Sequence, residues 1–561
     1  MRLGLWIKEI EFADGTQISL TRNDIVVLVG PNNSGKSTAL REIANFIETG
    51  GGHGQVIKKI VLEKKGTIND IIKYIDEISS HSDVTPNLTN YRGLGWSINT
   101  NQINHIWNQG TTALNNFAKI FVKSLNTVER LQMANTPSSI DFINGVPNHP
   151  IHFLFQDEKL ELKFSKYFKE AFGTDLLVDR YAGSIIPLFF GDKPLPYGNE
   201  NEYAPSFSKK IKSLDRLDGQ GDGMKSFVGI LLFALLSKYF IFLIDEPEAF
   251  LHPPQAKLLA KFLVKESPIE RQLFIATHSE DFLKGLIDTD SKNLNIIRIE
   301  RDKKNIRTSL LLKNELHNVW KDPILRYSNV LSGLFHSMVI ICESDSDCRF
   351  YSAILAAIYE GSEKGVPDIL FIHCGGKDRI PVVIKALTDL KVPIKVVTDF
   401  DVLNDLNPLK KIFENLGGQW REVEKDWKLV KESIDKKKPP LEVRKLKDKI
   451  EEIFKPIDVT IMPEDAIKEI SKTLKQASAW TQAKAIGKQF IPNGDETKAF
   501  NRIQKKFQDK GLNILEVGEI ENFSKSTGNH GPTWVNEVLK KKLKTDSELE
   551  LARKFILQLL S

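Results

Sequence analysis

Two sets of residues have the types and spacing to do chemistry, and they lie in different halves of the chain. The first is Gly30-Pro31-Asn32-Asn33-Ser34-Gly35-Lys36-Ser37, which fits the phosphate-binding pattern G-x-x-x-x-G-K-[ST] at every required position. Two glycines let the backbone turn its N–H groups towards a phosphate. Lys36 can reach β- and γ-phosphates, Ser37 can hold Mg²⁺, and the helix that opens through Thr38 adds the partial positive charge of its N-terminus. The second set is acidic: Glu343, Asp347, Asp399 and Asp401. Three or four carboxylates held at one sheet edge repel one another unless a hard cation such as Mg²⁺ or Mn²⁺ neutralises them.

The elements around the first set fit nucleotide chemistry. Residues 24–29 read as a short buried strand and residues 37–43 open a helix, so the glycine-rich stretch is a strand-to-helix turn. Residues 2–20 read as a hairpin around Ala13-Asp14-Gly15-Thr16, and residues 50–150 as a polar, helical insertion with helices near 67–79 and 112–133. Residues 152–155 and 160–164 alternate around Gln156-Asp157-Glu158-Lys159 and predict a second hairpin, with Gln156 in its turn. A glycine-rich turn at 219–226, containing Gly223, opens a buried helix through the apolar run to 236. Four apolar residues then end in Asp245 and Glu246 at a strand exit. There Asp245 would serve Mg²⁺ and Glu246 would polarise an attacking water. A further buried strand ends in His278, placed to sense a γ-phosphate.

The second half reads as a separate parallel sheet. Strands at 338–342, 369–374 and 394–398 alternate with helices, so their C-terminal ends form one edge where ligands bind. Glu343 sits at the first exit, and Asp347 is one helical turn on. Asp399 and Asp401 are two apart at another exit, which on an extended chain aims them the same way. Residues 407–510 interrupt this pattern as a lysine-rich helical insertion that includes Lys436-Lys437-Lys438, with Trp420, Trp427 and Trp480 among the charges. Residues 407–450 alone hold thirteen Lys and Arg against eight Asp and Glu, an excess equal to the +5 of the entire chain. Such a face either tracks a phosphate backbone or is simply solvated. His530 falls in a loop, as a turn residue or at the edge of a site.

Lys36 and Ser37, Asp245 and Glu246, and His278 together resemble the ABC-type ATPases of the SMC/RecF group, and more closely the ATPase half of OLD-family proteins. The loop 247–253 is similar to the one that follows the acidic pair in that family. At the signature position this chain carries Gly221-Asp222-Gly223 where the family has Ser-Gly-Gly, with Lys225 near enough to offset Asp222. Glu343 followed by Asp399-x-Asp401 is similar to the Toprim fold of topoisomerases, primases and OLD nucleases.

The resemblance implies an α/β chain. An ABC-type ATPase domain (1–305) leads through a connector (306–335) to a Toprim nuclease domain (336–561). It implies ATP and Mg²⁺ or Mn²⁺ as cofactors, with phage or plasmid DNA as substrate and a dimer or tetramer formed through the ATPase domain. It also implies further acids from residues 512–521, with Glu519 or Glu521 on the metal, and a downstream lysine, for which Lys525 and Lys540 are both candidates. Retron- and Gabija-type defence effectors share this layout, which implies anti-phage defence. It makes a reverse transcriptase with its DNA, or a helicase-like protein, a conceivable partner. Two other readings stay open. One is a RecF-like repair ATPase with a non-catalytic Toprim scaffold. The other is a topoisomerase or primase, which needs a nucleophile domain or zinc site that the sequence does not display.

Bulk properties bound these readings. At 561 residues the chain exceeds one core. No apolar run is long enough to span a bilayer, and charges near the N-terminus leave no signal-peptide core. Three cysteines without a C-x-x-C pair fit a reducing cytoplasm and give no zinc site.

Overall fold

In a computed structural model the chain divides into two compact units, Met1–Lys321 and Asp322–Ser561. The structure describes residues 3–560 apart from 86–87, 109–112, 144, 146, 182, 199–203, 237, 269, 290, 304, 312–320, 323–324, 326–328, 438–442, 458–460 and 476–478.

The first unit opens with β1 (Gly4–Phe12) and β2 (Gln17–Ser19), an antiparallel hairpin turning at residues 13–16 as the sequence predicts. Then come β3 (Ile25–Val29), α1 (Lys36–Thr49), β4 (Ile57–Lys65), β5 (Val122–Leu125), α2 (Asp222–Leu236), β6 (Ile241–Asp245), β7 (Gln272–Ala276), β8 (Leu294–Asp302) and β9 (Asn305–Leu311). Six of these strands form one sheet in the order β9-β8-β3-β7-β6-β5. All neighbours are parallel except the β8–β9 hairpin. The continuous apolar runs explain the arrangement, because β3 and β7 are buried at every position and so must be covered on both faces. Their C-terminal ends are adjacent, which places the turn after β3 beside the exits of β6 and β7.

Four expectations for this unit fail. Residues 50–150 are not a helical insertion. β4 pairs antiparallel with β1, a three-stranded meander occupies Ser80–Thr85, Leu88–Gly93 and Trp96–Asn99, and β5 is the edge strand of the main sheet. The helix expected near 67–79 is present as Ile68–Ile78, but β5 splits the one expected over 112–133. The hairpin predicted at 152–164 is two helices, Pro150–Gln156 and Glu158–Phe172. Pro150 starts the first, and the Asp157 side chain caps the second by accepting from the Leu160 N–H at 3.1 Å. These caps outweigh an apolar alternation only four or five residues long, and Gln156 ends a helix rather than turning a hairpin. Finally, β9 lies in the sheet, within the span assigned to a connector.

The second unit contains β10 (Met338–Cys342), α3 (Asp345–Tyr359), β11 (Ile369–His373), α4 (Ile380–Asp389), β12 (Ile394–Thr398), α5 (Ala479–Ile486), β13 (Leu512–Ile514) and α6 (Gly531–Val538). Its sheet is four parallel strands in the order β11-β10-β12-β13. A core of Ile340, Phe350, Tyr351, Val397, Phe523 and Trp534 joins β10 and β12 to α3, α6 and the tail. Each such side chain contributes roughly 1.5–3 kcal/mol on burial. The sheet order brings the exits of β10, β12 and β13 side by side.

Candidate functional site

In the first unit, the turn between β3 and α1 is held by close backbone approach. Gly30 has φ 143°, and a Cβ there would lie 2.1 Å from the Ile299 carbonyl oxygen, so no other residue fits. Asn33 follows in the left-handed region at φ 61°, and Gly35 at 107°. Asn32 lies between Gly30 and Asn33 in the same turn. Lys36 Nζ donates to the Gly30 and Pro31 carbonyls at 2.7 and 2.8 Å, which folds the ammonium back over the loop. The Ser34 hydroxyl is buried without a hydrogen-bond partner. A loop of this shape with an orphaned donor and a lysine fits a nucleotide phosphate. Thr38 follows in the first turn of α1.

Ser37 Oγ donates to Asp245 Oδ1 at 2.9 Å, so the two expected Mg²⁺ residues meet across the turn. Both offer hard oxygens, the donor type this ion takes. Burial pushes the Asp245 carboxyl up, and the neighbouring Glu246 adds to that. Glu246 has φ 47°, and its N–H donates to the Ala276 carbonyl at 2.8 Å, which turns the chain sharply at the β6 exit. His278 Nδ1 lies 3.4 Å from Glu246 Oε1, and the His278 N–H donates to Glu248 at 3.0 Å. Glu246, Glu248, Phe250, His278 and Ser279 line a cleft of about 690 Å³. Gly223 lies in the first turn of α2, against the Phe250 carbonyl. Sequence reasoning missed Arg130. This fully buried residue donates to the Asp245 carbonyl at 2.6 Å and fixes the β6 exit, but a lone arginine in a polar stretch carries no motif.

In the second unit, the acids converge from four segments. Glu343, at the β10 exit, accepts from the Asp399 N–H at 3.1 Å, which ties the ends of β10 and β12 together. Asp347 is the third residue of α3 and reaches back to the Ser344 N–H at 2.8 Å, a capping box that turns its carboxylate towards the strand exit. Asp401 is not on extended chain, as expected. It lies in the short 3₁₀ turn Phe400–Asn404, because the chain bends as soon as it leaves β12. Even so, Asp399 and Asp401 share one partner. Lys484 Nζ, on α5, is 2.7 Å from Asp399 Oδ2 and 3.5 Å from Asp401 Oδ1. Lys377 Nζ pairs with the other Asp401 oxygen at 3.2 Å and with Asp405 at 2.5 Å.

Beyond β13, Glu519, Glu521 and His530 cluster with ligand atoms within 4.8 Å of one another, and Glu521 accepts from the Gly531 N–H at 2.8 Å. Burial pushes Glu343 up to about 8, with the charge of Asp399 adding to it. Burial likewise raises Asp347 to about 7 and Glu519 to about 7, helped by Asp399 and Glu521 respectively. Asp401 Oδ1 is buried, and among the described residues its nearest cation is the Lys484 ammonium at 3.5 Å, with no tighter hydrogen bond. A donor set made almost wholly of carboxylate oxygens, with His530 at its rim, fits a hard divalent cation.

The lysine candidates of this unit are corrected. Lys540 pairs with Glu537 on an exposed surface, and Lys525 lies in a short turn; besides Lys377, the lysine found among the acids is Lys484. It stands inside the segment read as a basic insertion, one lysine among many, and only the packing of α5 singles it out. The tryptophans of that segment are structural. Trp420 and Trp427 stack edge to face, Trp427 donates to the Leu403 carbonyl and Trp480 to Asp435. Lys437 is engaged as well, donating to the Phe490 carbonyl, while Lys438 lies outside the described residues.

Two family models match the chain. Residues 191–283 match an AAA domain described as "putative AbiEii toxin, Type IV TA system". Residues 334–401 match the Toprim domain of overcoming lysogenization defect protein-like proteins. No curated protein matches. Among solved structures, a SmcHead bound to the C-winged helix domain of ScpA aligns at 14% identity and TM-score 0.33, covering 56% of this chain and 99% of that one. The SMC head domain from Thermotoga maritima aligns at 14% and 0.27, covering 55% and 98%. The Smc head domain from Pyrococcus furiosus, bound to the C-terminal domain of ScpA, aligns at 12% and 0.31, covering 57% and 99%. Scores this low add nothing to the fold described above. The two family matches give this chain an AAA-type ATPase domain, over a span that includes β6, β7 and the acidic pair Asp245-Glu246, followed by an OLD-like Toprim domain, over a span that includes β10, β11 and β12.

Proposed function

We propose that this protein is an ATP-hydrolysing, divalent-metal-dependent DNA endonuclease, whose cutting is controlled by its ATPase domain and which serves in defence against phage. The observation that carries the nuclease reading is the convergence of Glu343, Asp347, Asp399 and Asp401 at one edge of a parallel sheet, with Glu519 and Glu521 on the segment after its last strand. When bound there, Mg²⁺ or Mn²⁺ supplies an activated water and charge stabilisation for phosphodiester cleavage. Glu343, Asp347, Asp399 and Asp401, with Glu519 and Glu521, would hold it. Lys377 and Lys484 keep positive charge beside those acids and so favour an approaching phosphate.

In the ATPase domain, Gly30 to Thr38 would cradle ATP, and Ser37 with Asp245 would hold its Mg²⁺. Glu246 would orient the attacking water, with His278 beside it. By resemblance the working form is a dimer or tetramer joined through the ATPase domains. Among the described residues no helix is long and apolar enough to cross a membrane.

The test is plasmid DNA incubated with purified protein and Mg²⁺ or Mn²⁺, with and without ATP. Metal-dependent nicking that changes with ATP supports the proposal. A second reading draws on Lys484 and Lys377, which already neutralise part of the acidic edge: the Toprim domain would then be a scaffold for a repair ATPase. ATP hydrolysis without cleavage under any metal would favour it.

A further inference from the structure

The metal-site reading has a feature that its acids alone do not explain, a lysine held between two of them. Lys484 Nζ is within 2.7 Å of Asp399 and 3.5 Å of Asp401. Its side chain is about one-third exposed, so the ammonium stands at the mouth of the acidic edge rather than sealed behind it. The backbone that carries it is clamped. A Cβ on Gly518 would lie 2.0 Å from the Lys484 carbonyl, and one on Gly487 would lie 2.2 Å from the Glu516 carbonyl. α5 is therefore packed directly on the loop that leads to Glu519 and Glu521. Four carbons separate this fixed backbone from the ammonium, enough for it to leave the acids without moving α5. Lys377 differs, since it is divided between Asp401 and Asp405 and leaves Asp399 untouched.

We infer that Lys484 is a built-in counter-cation, which competes with divalent metal for Asp399 and Asp401 and so sets how readily the site loads. The inference rests on the metal-site reading above. A tethered ammonium between two carboxylates must be displaced, or its attraction lost, before a divalent ion takes both. The lysine thereby stabilises the metal-free acids and weakens metal binding by the same interaction. Once displaced, its charge remains on the α5 backbone at the mouth of the site. Metal then binds more readily when a polyanion draws the ammonium away from the acids.

The experiment is a calorimetric titration of the full-length chain with Mn²⁺ alone, without nucleotide or DNA. Wild type, Lys484→Gln and Asp401→Ala are compared, with thermal melts on the same samples. Lys484→Gln is expected to bind Mn²⁺ about tenfold more tightly at the Asp401-dependent site, the effect of removing roughly one close charge. It should also melt lower than wild type without metal and gain more from Mn²⁺. Equal or weaker Mn²⁺ affinity in Lys484→Gln, with Asp401-dependent binding in wild type, overturns the competition while leaving the metal site intact. No Asp401-dependent binding in either protein overturns both.

Should Lys484→Gln fail to fold, reductive methylation of wild type decides the matter. Lys484 should become more reactive by mass spectrometry when Mn²⁺ is added, and unchanged or reduced reactivity overturns the inference.

Discussion

The two candidate cation sites of this protein are built on opposite plans. In the ATPase domain the half-buried Asp245 is already matched. Ser37 donates to its side chain and Arg130 to its carbonyl, and Glu246 and His278 stand together at the cleft. In the Toprim domain, acids from four segments face one another with two lysines as the nearest positive charges. The first site is organised by backbone: Gly30 fits because nothing larger does, and the loop shape is present whether or not charge is neutralised. The second is organised by sheet order, and Lys377 and Lys484 offset only part of the repulsion among its acids. Phosphate affinity can therefore be built into a turn, whereas a multi-acid metal centre needs separate elements to bring in both the acids and their counter-charge.

The largest expected effect breaks the second plan. Asp401→Ala should reduce plasmid cleavage by roughly 100-fold or more, since even outer-shell partners of metal ligands cost 10–100-fold. Phosphate release from ATP should stay close to wild type, because its residues lie in the other unit. Mn²⁺ should also lose most of its ability to raise the melting temperature. Cleavage at the wild-type rate in Asp401→Ala would remove this edge from catalysis.

A comparable but smaller effect is expected at the first site. Glu246→Gln should keep ATP binding, because the phosphate loop is untouched, and slow turnover by about 100-fold, the lower range for loss of a general base. Calorimetry and a phosphate-release assay on one preparation separate the two. Turnover within a few-fold of wild type would assign the water-orienting role elsewhere.

How much of this was legible in the sequence follows from the same contrast. Runs such as Ile241–Asp245 and Met338–Cys342 are apolar to the last residue before an acid, so both the strand and its exit could be read directly. The phosphate turn was legible because its glycines and lysine sit at fixed spacing. What long-range packing decides was hidden. β5 reads as part of a helical stretch and becomes a strand by pairing with β6. Helix caps at Pro150 and Asp157 override a short alternation. Arg130 and Lys484 matter through the element they happen to face, and Lys484 sits in a segment with so many lysines that composition conceals it. Asp399 and Asp401 meet through a 3₁₀ turn and a shared lysine, not through the strand alternation that their spacing suggests.

The smallest expected effect tests whether the second site depends on backbone as the first does. Gly518 is the position where the two plans come closest. It has φ 106°, its carbonyl accepts from the Phe400 N–H at 2.8 Å, and an added Cβ would meet the Lys484 carbonyl at 2.0 Å. Gly518→Ala therefore cannot be absorbed by a side-chain rotation. The α5 backbone must move away, and Lys484 must move with it. The strained φ and the overlap together should cost about 1–3 kcal/mol. At about 2–4 °C per kcal/mol for a unit of this size, the melting temperature should fall by several degrees. ATP turnover should be unchanged. Mn²⁺ affinity should rise modestly, because the ammonium is drawn back from Asp399 while every carboxylate is retained. A Gly518→Ala protein that melts with wild type and binds Mn²⁺ with wild-type affinity would show that α5 is not clamped on this loop. The Toprim acids would then be placed by the strands alone.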